Sequence, residues 1–298
     1  MKTYQEYLEQ ENYSTSTITH YLERLESFTN WLEENNQIAV SIDYKTTLQY
    51  VQLLKAKKLQ VQTINNHIIT IRNYFNYLIA TNQRVENPLE ETAVKGTVQR
   101  VFHNLLDGDE LEDLYYSYPT ETFSKYVGYK ARLTAKRNKV ITGLIVYQGL
   151  NATSLKSLRL EHLALYKGKL YVPSTRRSNA RELELKSWQV LDLMEYVNEV
   201  RPQIAKYNQI YNEHLLIPQT HFNDLLRIGI VKKLKKINHK AGNVHHLRAS
   251  VIVNWLKHYN IRKVQYLAGH RYISSTEKYR QDNLESLQEA VNEYHPLQ

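Results

Sequence analysis

In "TSTITHYLERLESFTNWLEEN" apolar residues recur at steps of three and four: Ile18, Tyr21, Leu22, Leu25, Phe28, Trp31 and Leu32. That spacing lines one face of a helix and leaves the polar side chains on the other. "VQTINNHIITIRNYFNYLIATN" repeats the pattern through Ile64, Ile68, Ile71, Phe75, Leu78 and Ile79. With weaker helical stretches near 3–10 and 45–58, residues 1–88 predict a four-helix bundle. Asn87-Pro88 stops its last helix, because the residue before a proline avoids the α region.

Periodicity is lost over 89–104, which reads as a linker, and returns in a second domain, 105–298. A helix opens at "DGDELEDLYYSY", where early acidic residues suit the helix dipole. "AKRNKVITGLIVYQGL" is apolar enough for a buried helix ending near Gly149. "ALYKGKLYVP" and "RELEL", separated by "STRRSNA", predict a small antiparallel sheet with a turn at Lys167-Gly168. Helical patterns resume at 187–200 and 219–237. The fold class is therefore mostly α, with a small antiparallel β-sheet in the second of two domains.

Charge separates the two parts. Residues 1–90 hold 8 Lys/Arg against 10 Asp/Glu, so the chain's formal charge of +9 lies wholly beyond them. A basic body of that kind attracts polyanions, nucleic acid first among them. Cysteine is absent, which excludes disulfides, thiolate metal sites and a cysteine nucleophile. No apolar run is long enough to span a membrane and the first residues carry no apolar signal core, so a cytoplasmic protein is expected.

Two segments near the end carry candidate chemistry. In "GNVHHLRASVIVNWLKH", His245 and Arg248 are three apart at the start of a helix and so share a turn. Arginine offers a rigid fork of donors that suits phosphate oxygens, and histidine moves protons near neutral pH. In "IRKVQYLAGHRYISSTEKYR", Gly269 is placed to cap a short helix and leave His270 just past its end. Ser274 and Glu277 have the spacing of a capping box, with Tyr279 early in the helix it would start. Each feature alone is common in ordinary packing.

Together, His245, Arg248, His270 and Tyr279 resemble the signature of the tyrosine recombinase (phage integrase) family. His246-Leu247 and Thr276 agree with it, and residues 1–88 are similar to the family's SAM-like core-binding domain. The resemblance implies a two-domain clamp on double-stranded DNA at an inverted-repeat site, assembled as a homo-tetramer on two sites. It also implies a C-terminal tail, 281–298, passed to a neighbouring protomer, although Leu284, Leu287 and Val291 would equally pack on their own domain. The implied reaction is attack by Tyr279 on a phosphodiester, giving a 3′-phosphotyrosyl link and a free 5′-hydroxyl. Neither a metal nor another cofactor is implied. Arg248 and His270 would stabilise the developing charge, and His245 would exchange the tyrosine's proton.

Two family positions differ. The first catalytic arginine belongs in a Gly-Leu-Arg segment with a glutamate three residues on; here the residues are Gly149-Leu150-Asn151 and Ser154. The hairpin lysine that protonates the leaving oxygen falls on Arg176, with Lys169 and Lys167 as alternatives. An arginine elsewhere, with Arg137, Arg177 and Arg181 nearest, would restore the missing charge. Otherwise the chain is a DNA-binding protein that keeps the fold without full chemistry; a topoisomerase-like enzyme would share the tyrosine. Basic residues in "HFNDLLRIGIVKKLKKINHK" and "KARLTAKRNK" are candidates for DNA backbone contact.

Overall fold

The computed structural model describes residues 3–96, 104–120, 128–218 and 221–280. The chain divides into two compact units, Met1–Arg100 and Val101–Gln298.

The first unit contains α1 (Tyr4–Gln10), α2 (Thr15–Glu34), α3 (Tyr44–Ala56) and α4 (Val61–Ala80). Side chains of Thr3, Ser14 and Asp43 cap the first three helices by accepting from amides three residues on. The apolar stripes meet in one core, where Leu8, Phe28, Ile71 and Phe75 are fully buried. The unit does not stop at Pro88. Leu89 is fully buried in the same core, and Arg72 donates from Nε to its carbonyl and from Nη2 to that of Thr92. Asn65 holds Val94 through both its amide and its carbonyl, so the first residues of the expected linker are strapped to α4.

The second unit opens with α5 (Gly108–Tyr116), whose capping box joins Asp107 and Glu110. Next come α6 (Tyr129–Val146) and α7 (Ala152–Ser157). Strands β1 (Leu163–Ala164), β2 (Lys169–Val172) and β3 (Arg181–Glu184) form an antiparallel sheet in that order. Its register sets Leu170 opposite Leu183 and Val172 opposite Arg181, so Arg181 occupies an inward position among apolar neighbours. Then follow α8 (Ser187–Glu195), α9 (Arg201–Asn208), α10 (Phe222–Asp224), α11 (Lys232–Ile237), α12 (Val244–His258) and α13 (Ile261–Ala268). Helix α6 runs through the core with Ile141, Leu144 and Ile145 fully buried.

Two expected helices contain wide π turns, at Tyr196–Val200 and Leu225–Val231. In the second, the Gly229 carbonyl accepts from both Tyr118 Oη and Asn138 Nδ2, each at 3.1 Å. The chain is helical again over 274–280. Ser274 is the first helical residue there rather than the cap: the Ile273 carbonyl accepts from the amides of Thr276 and Glu277. The tail 281–298, with Leu284, Leu287 and Val291, lies outside the described residues. Among the described residues no helix is long and apolar enough to cross a membrane.

Candidate active site

Helix α12 carries the first two candidates. Asn243 caps it by accepting from the His246 amide at 2.9 Å. His245 is exposed on the first turn, while Arg248, one turn along the same face, is only 6% exposed. The Arg248 guanidinium is committed to main chain. Nη1 donates to the Gly149 carbonyl, and Nη2 donates to the Ala268 carbonyl at 2.7 Å. Gly149 (φ +58°) permits the sharp turn there, with the rings of Trp255 packed where a Cβ would stand.

Helix α13 ends at Gly269, in the left-handed region at φ +70°. His270 follows, and Arg248 Nη2 lies 3.1 Å from its Nε2. An arginine can only donate, so Nε2 is the acceptor and the proton of the neutral ring sits on Nδ1. Nδ1 in turn is 2.9 Å from Thr276 Oγ1. Burial, followed by the charges of Arg248 and Arg181, pushes the His270 pKa down to about 4. The family resemblance makes His270 a charge-stabilising donor; in this state it is a neutral acceptor, because two guanidinium groups already supply the local charge.

Tyr279 stacks on His270 with ring centroids 5.8 Å apart and planes 11° from parallel. Its ring is 8% exposed in a small cluster with Ala249, Ile252, Val253, Val264 and Ala268. Arg248, His270 and Tyr279 thus converge from α12, the turn after α13 and the following helix.

The hairpin between β2 and β3 reaches the same point. Thr175 and Ser178 pair across a two-residue turn formed by Arg176 and Arg177, both exposed. Ser178 bridges to His270, and the Asn179 amide donates to the Gly269 carbonyl at 3.0 Å. Lys169 sits at the opposite end of β2, paired with Glu182, and Lys167 lies over the ring of Tyr166. Arg176 and Arg177 thus share the turn that borders His270, whereas Lys167 and Lys169 do not.

Asn151 is spent on local structure: its Oδ1 caps α7 by accepting from the Ser154 amide at 2.8 Å. Arg137 is buried elsewhere, donating to the Ile217 carbonyl at 2.8 Å and to Asn138 Oδ1. Arg181 is at the site. It is 2% exposed, and its Nε donates to the Leu267 carbonyl at 2.8 Å. A Cβ at position 269 would lie 2.2 Å from its Nη1, so the guanidinium rests against Gly269.

The basic stretches divide. Lys232, Lys235 and Lys236 are exposed beside the buried Leu234 on α11, whereas Arg227 pairs with Asp224. In 130–139, Lys136 and Lys139 pair with Glu195 and Asp192, leaving Lys130 and Arg132 as its exposed cations.

Residues 1–82 match the phage integrase N-terminal SAM-like domain and residues 104–286 match the phage integrase family. Tyrosine recombinase XerD of Oceanobacillus iheyensis is 26% identical over 293 residues, covering 95% of this chain and 93% of that protein. Tyrosine recombinase XerC of the same organism is 24% identical, with 99% and 95% covered. The fold is similar to that of XerH recombinase bound to palindromic difH substrate in a post-cleavage complex. There the TM-score is 0.70 at 20% identity, covering 94% of this chain and 80% of that one. A lambda integrase tetramer bound to a Holliday junction gives a TM-score of 0.63 at 16% identity, covering 94% and 75%.

Proposed function

The chain belongs to the phage integrase family of tyrosine recombinases, and from that premise we propose that it breaks and rejoins double-stranded DNA through Tyr279. The observation that carries this reading is the stack of Tyr279 on His270, itself hydrogen-bonded to the buried Arg248. A nucleophile, a proton-bearing ring and a fixed cation meet at one point, as attack on a phosphodiester requires.

In the forward step Tyr279 Oη forms a bond to phosphorus and loses its proton to His245, which is exposed on the first turn of α12. The bond from phosphorus to the 5′-oxygen breaks, and that oxygen leaves as a hydroxyl, its proton supplied by water. A guanidinium is a fork of hydrogen-bond donors and a poor general acid, so Arg176 clamps the leaving strand rather than delivering that proton. Arg248 holds the non-bridging oxygens. Because the phosphotyrosyl ester keeps the energy of the broken bond, a 5′-hydroxyl from another strand reverses the step without an external energy source.

The partner on this reading is duplex DNA carrying an inverted-repeat site, bound by four copies of the chain on two such sites. The exposed lysines of α11 would contact its backbone. The similarity to recombinases solved on DNA, including a tetramer on a Holliday junction, supports that assembly. The protein then acts in the cytoplasm, on nucleoid DNA.

One observation favours a second reading, a DNA-binding protein without strand cleavage: Asn151 is a helix cap and brings no charge. Trapping decides between them. Fragments of the source genome carrying random nicks are incubated with the protein, and adducts surviving denaturant are sequenced. The recombinase reading expects one enriched site, with adducts absent for Tyr279→Phe. Site-selective binding without adduct establishes the second reading instead.

A further inference from the structure

Two guanidinium groups hold consecutive carbonyls at the end of α13: Arg181 takes Leu267 and Arg248 takes Ala268. They come from β3 and α12, and among the described residues neither pairs with a carboxylate. Arg181 Nη2 is buried and has no hydrogen-bond partner. Burying two cations side by side without an acid is costly, and a buried donor left unmade adds to that cost. The carbonyl end of α13 offsets part of it, since partial negative charge gathers there. A buried, unpartnered N–H on one of two adjacent cations is the chemistry of an anion-binding site.

We propose that Arg181 and Arg248 together receive the phosphate that Tyr279 attacks, Arg181 supplying the charge that Asn151 lacks. The proposal rests on the reading of Tyr279 as the nucleophile. Asn151 lies two residues beyond the Gly149 carbonyl that Arg248 holds, so a missing cation there is missing next to Arg248. Arg181 adds a cation to the same group from the other side, across Gly269, which has no side chain to keep it out. Both guanidiniums act on His270, so a phosphate between them also competes for the Arg248 donor that His270 accepts. Once that bond is released, Nε2 is free to carry a proton toward the phosphate. Arg177 and Arg137 do not fill this role, one being exposed on the turn and the other bound to Ile217 and Asn138.

The test uses the full chain with Arg181→Gln, Arg181→Lys, Asn151→Arg and the Asn151→Arg/Arg181→Gln double variant, each checked for folding by circular dichroism. Nicked duplexes carrying the trapped site have either a normal scissile phosphate or a methylphosphonate, which lacks one negative charge. On phosphate, Arg181→Gln is expected to lower the adduct rate by about 10²–10³-fold, the usual cost of one preorganised donor. On methylphosphonate the deficit shrinks to about tenfold or less, and Asn151→Arg restores at least part of the rate on phosphate. Adduct formation by Arg181→Gln within about threefold of the parent on normal phosphate, far short of the loss of a preorganised donor, overturns the proposal. If Arg181→Gln does not fold, Arg181→Lys decides: charge without the fork gives partial loss, and unchanged rates overturn the idea.

A parent protein that forms no adduct at all sinks the reading of Tyr279, and a second measurement then addresses Arg181 separately. Inorganic sulfate, compared with chloride at equal ionic strength, should raise the melting temperature saturably, and Arg181→Gln should abolish that component. An equal sulfate response in parent and variant removes the anion site as well.

Discussion

His270 and Tyr279 lie face to face, 5.8 Å between ring centroids and 11° between planes, with the histidine held between Arg248 Nη2 and Thr276 Oγ1. Stacking holds the phenol ring by its face, a contact that phenylalanine also makes. Tyr279→Phe should therefore leave the packing intact, with a denaturation midpoint close to the parent's, and remove the covalent adduct completely. Tyr279→Ala empties part of the small cluster and should cost about 3 kcal/mol, at the low end for deleting a buried aromatic ring. Equal stability losses in the two variants would show that the hydroxyl, not the ring, is the structural element.

The low His270 pKa gives the fold a pH dependence with a definite sign. In the unfolded chain the imidazole takes its proton near 6.5; in the folded site it does so only near 4. Between those values the unfolded state binds more protons, so stability is fully present above about pH 6.5 and falls as pH drops toward 4. His67 and His162 are shifted the same way by burial, so part of the slope is theirs. Urea denaturation at about pH 7 and about pH 5, on either side of the unfolded histidine's pKa, should show the loss. His270→Gln should reduce its slope without abolishing it.

Arg137 and Arg181 are both buried arginines, but they should fail differently. Arg137→Ala leaves the Ile217 carbonyl and Asn138 Oδ1 short of donors and opens a cavity. The loss should be on the order of 3 kcal/mol in urea denaturation. Below its melting point the variant should form adduct at the parent's rate. A rate loss at full folding would bring Arg137 into the chemistry.

The exposed lysines of α11 should act through salt. Lys235→Gln and Lys236→Gln are expected to weaken binding to any duplex alike. Each lost phosphate contact should reduce the slope of log affinity against log salt by about 0.9. Filter binding between about 50 and 200 mM salt reads this; an unchanged slope takes α11 off the DNA.

Gly269→Ala tests the capping glycine at two points. Position 269 is at φ +70°, where a Cβ costs about 1–2 kcal/mol. The same Cβ would lie 2.2 Å from Arg181 Nη1 and drive the guanidinium away. The adduct rate should fall further than the melting temperature accounts for, whereas a purely structural glycine would move both together.

Much of this was legible in the sequence, because local spacing encodes it. The stripes of α2 and α4 and the residue types at 245, 248, 270 and 279 all lie within short windows. The π turns were not legible, since a helical period of 3.6 persists across one wide turn. Nothing local marks Gly229 as an acceptor for Tyr118 and Asn138. Nor was the start of the last helix, which begins at Ser274 with the Ile273 carbonyl accepting from the amides of Thr276 and Glu277. The neutral state of His270 comes first from burial and then from the charges of Arg248 and Arg181, all set by tertiary packing, so no local pattern contains it. A signal for Arg181 did exist: in "RELEL" it alternates with Leu183 and Leu185 on the buried face.

That alternation makes strand pairing a determinant of charge at the reaction centre. Arg181 faces inward and Glu182 outward only because Val172 stands opposite Arg181. Side chains along a strand change face at every residue, so a slip of one position between β2 and β3 would exchange them. The cation beside Arg248 would then be replaced by a carboxylate, which would neutralise the pair of guanidinium charges there. Length changes in the loop 173–180 are thus sorted by parity: those that preserve the pairing keep both cations together, and those that shift it by one cancel the charge there.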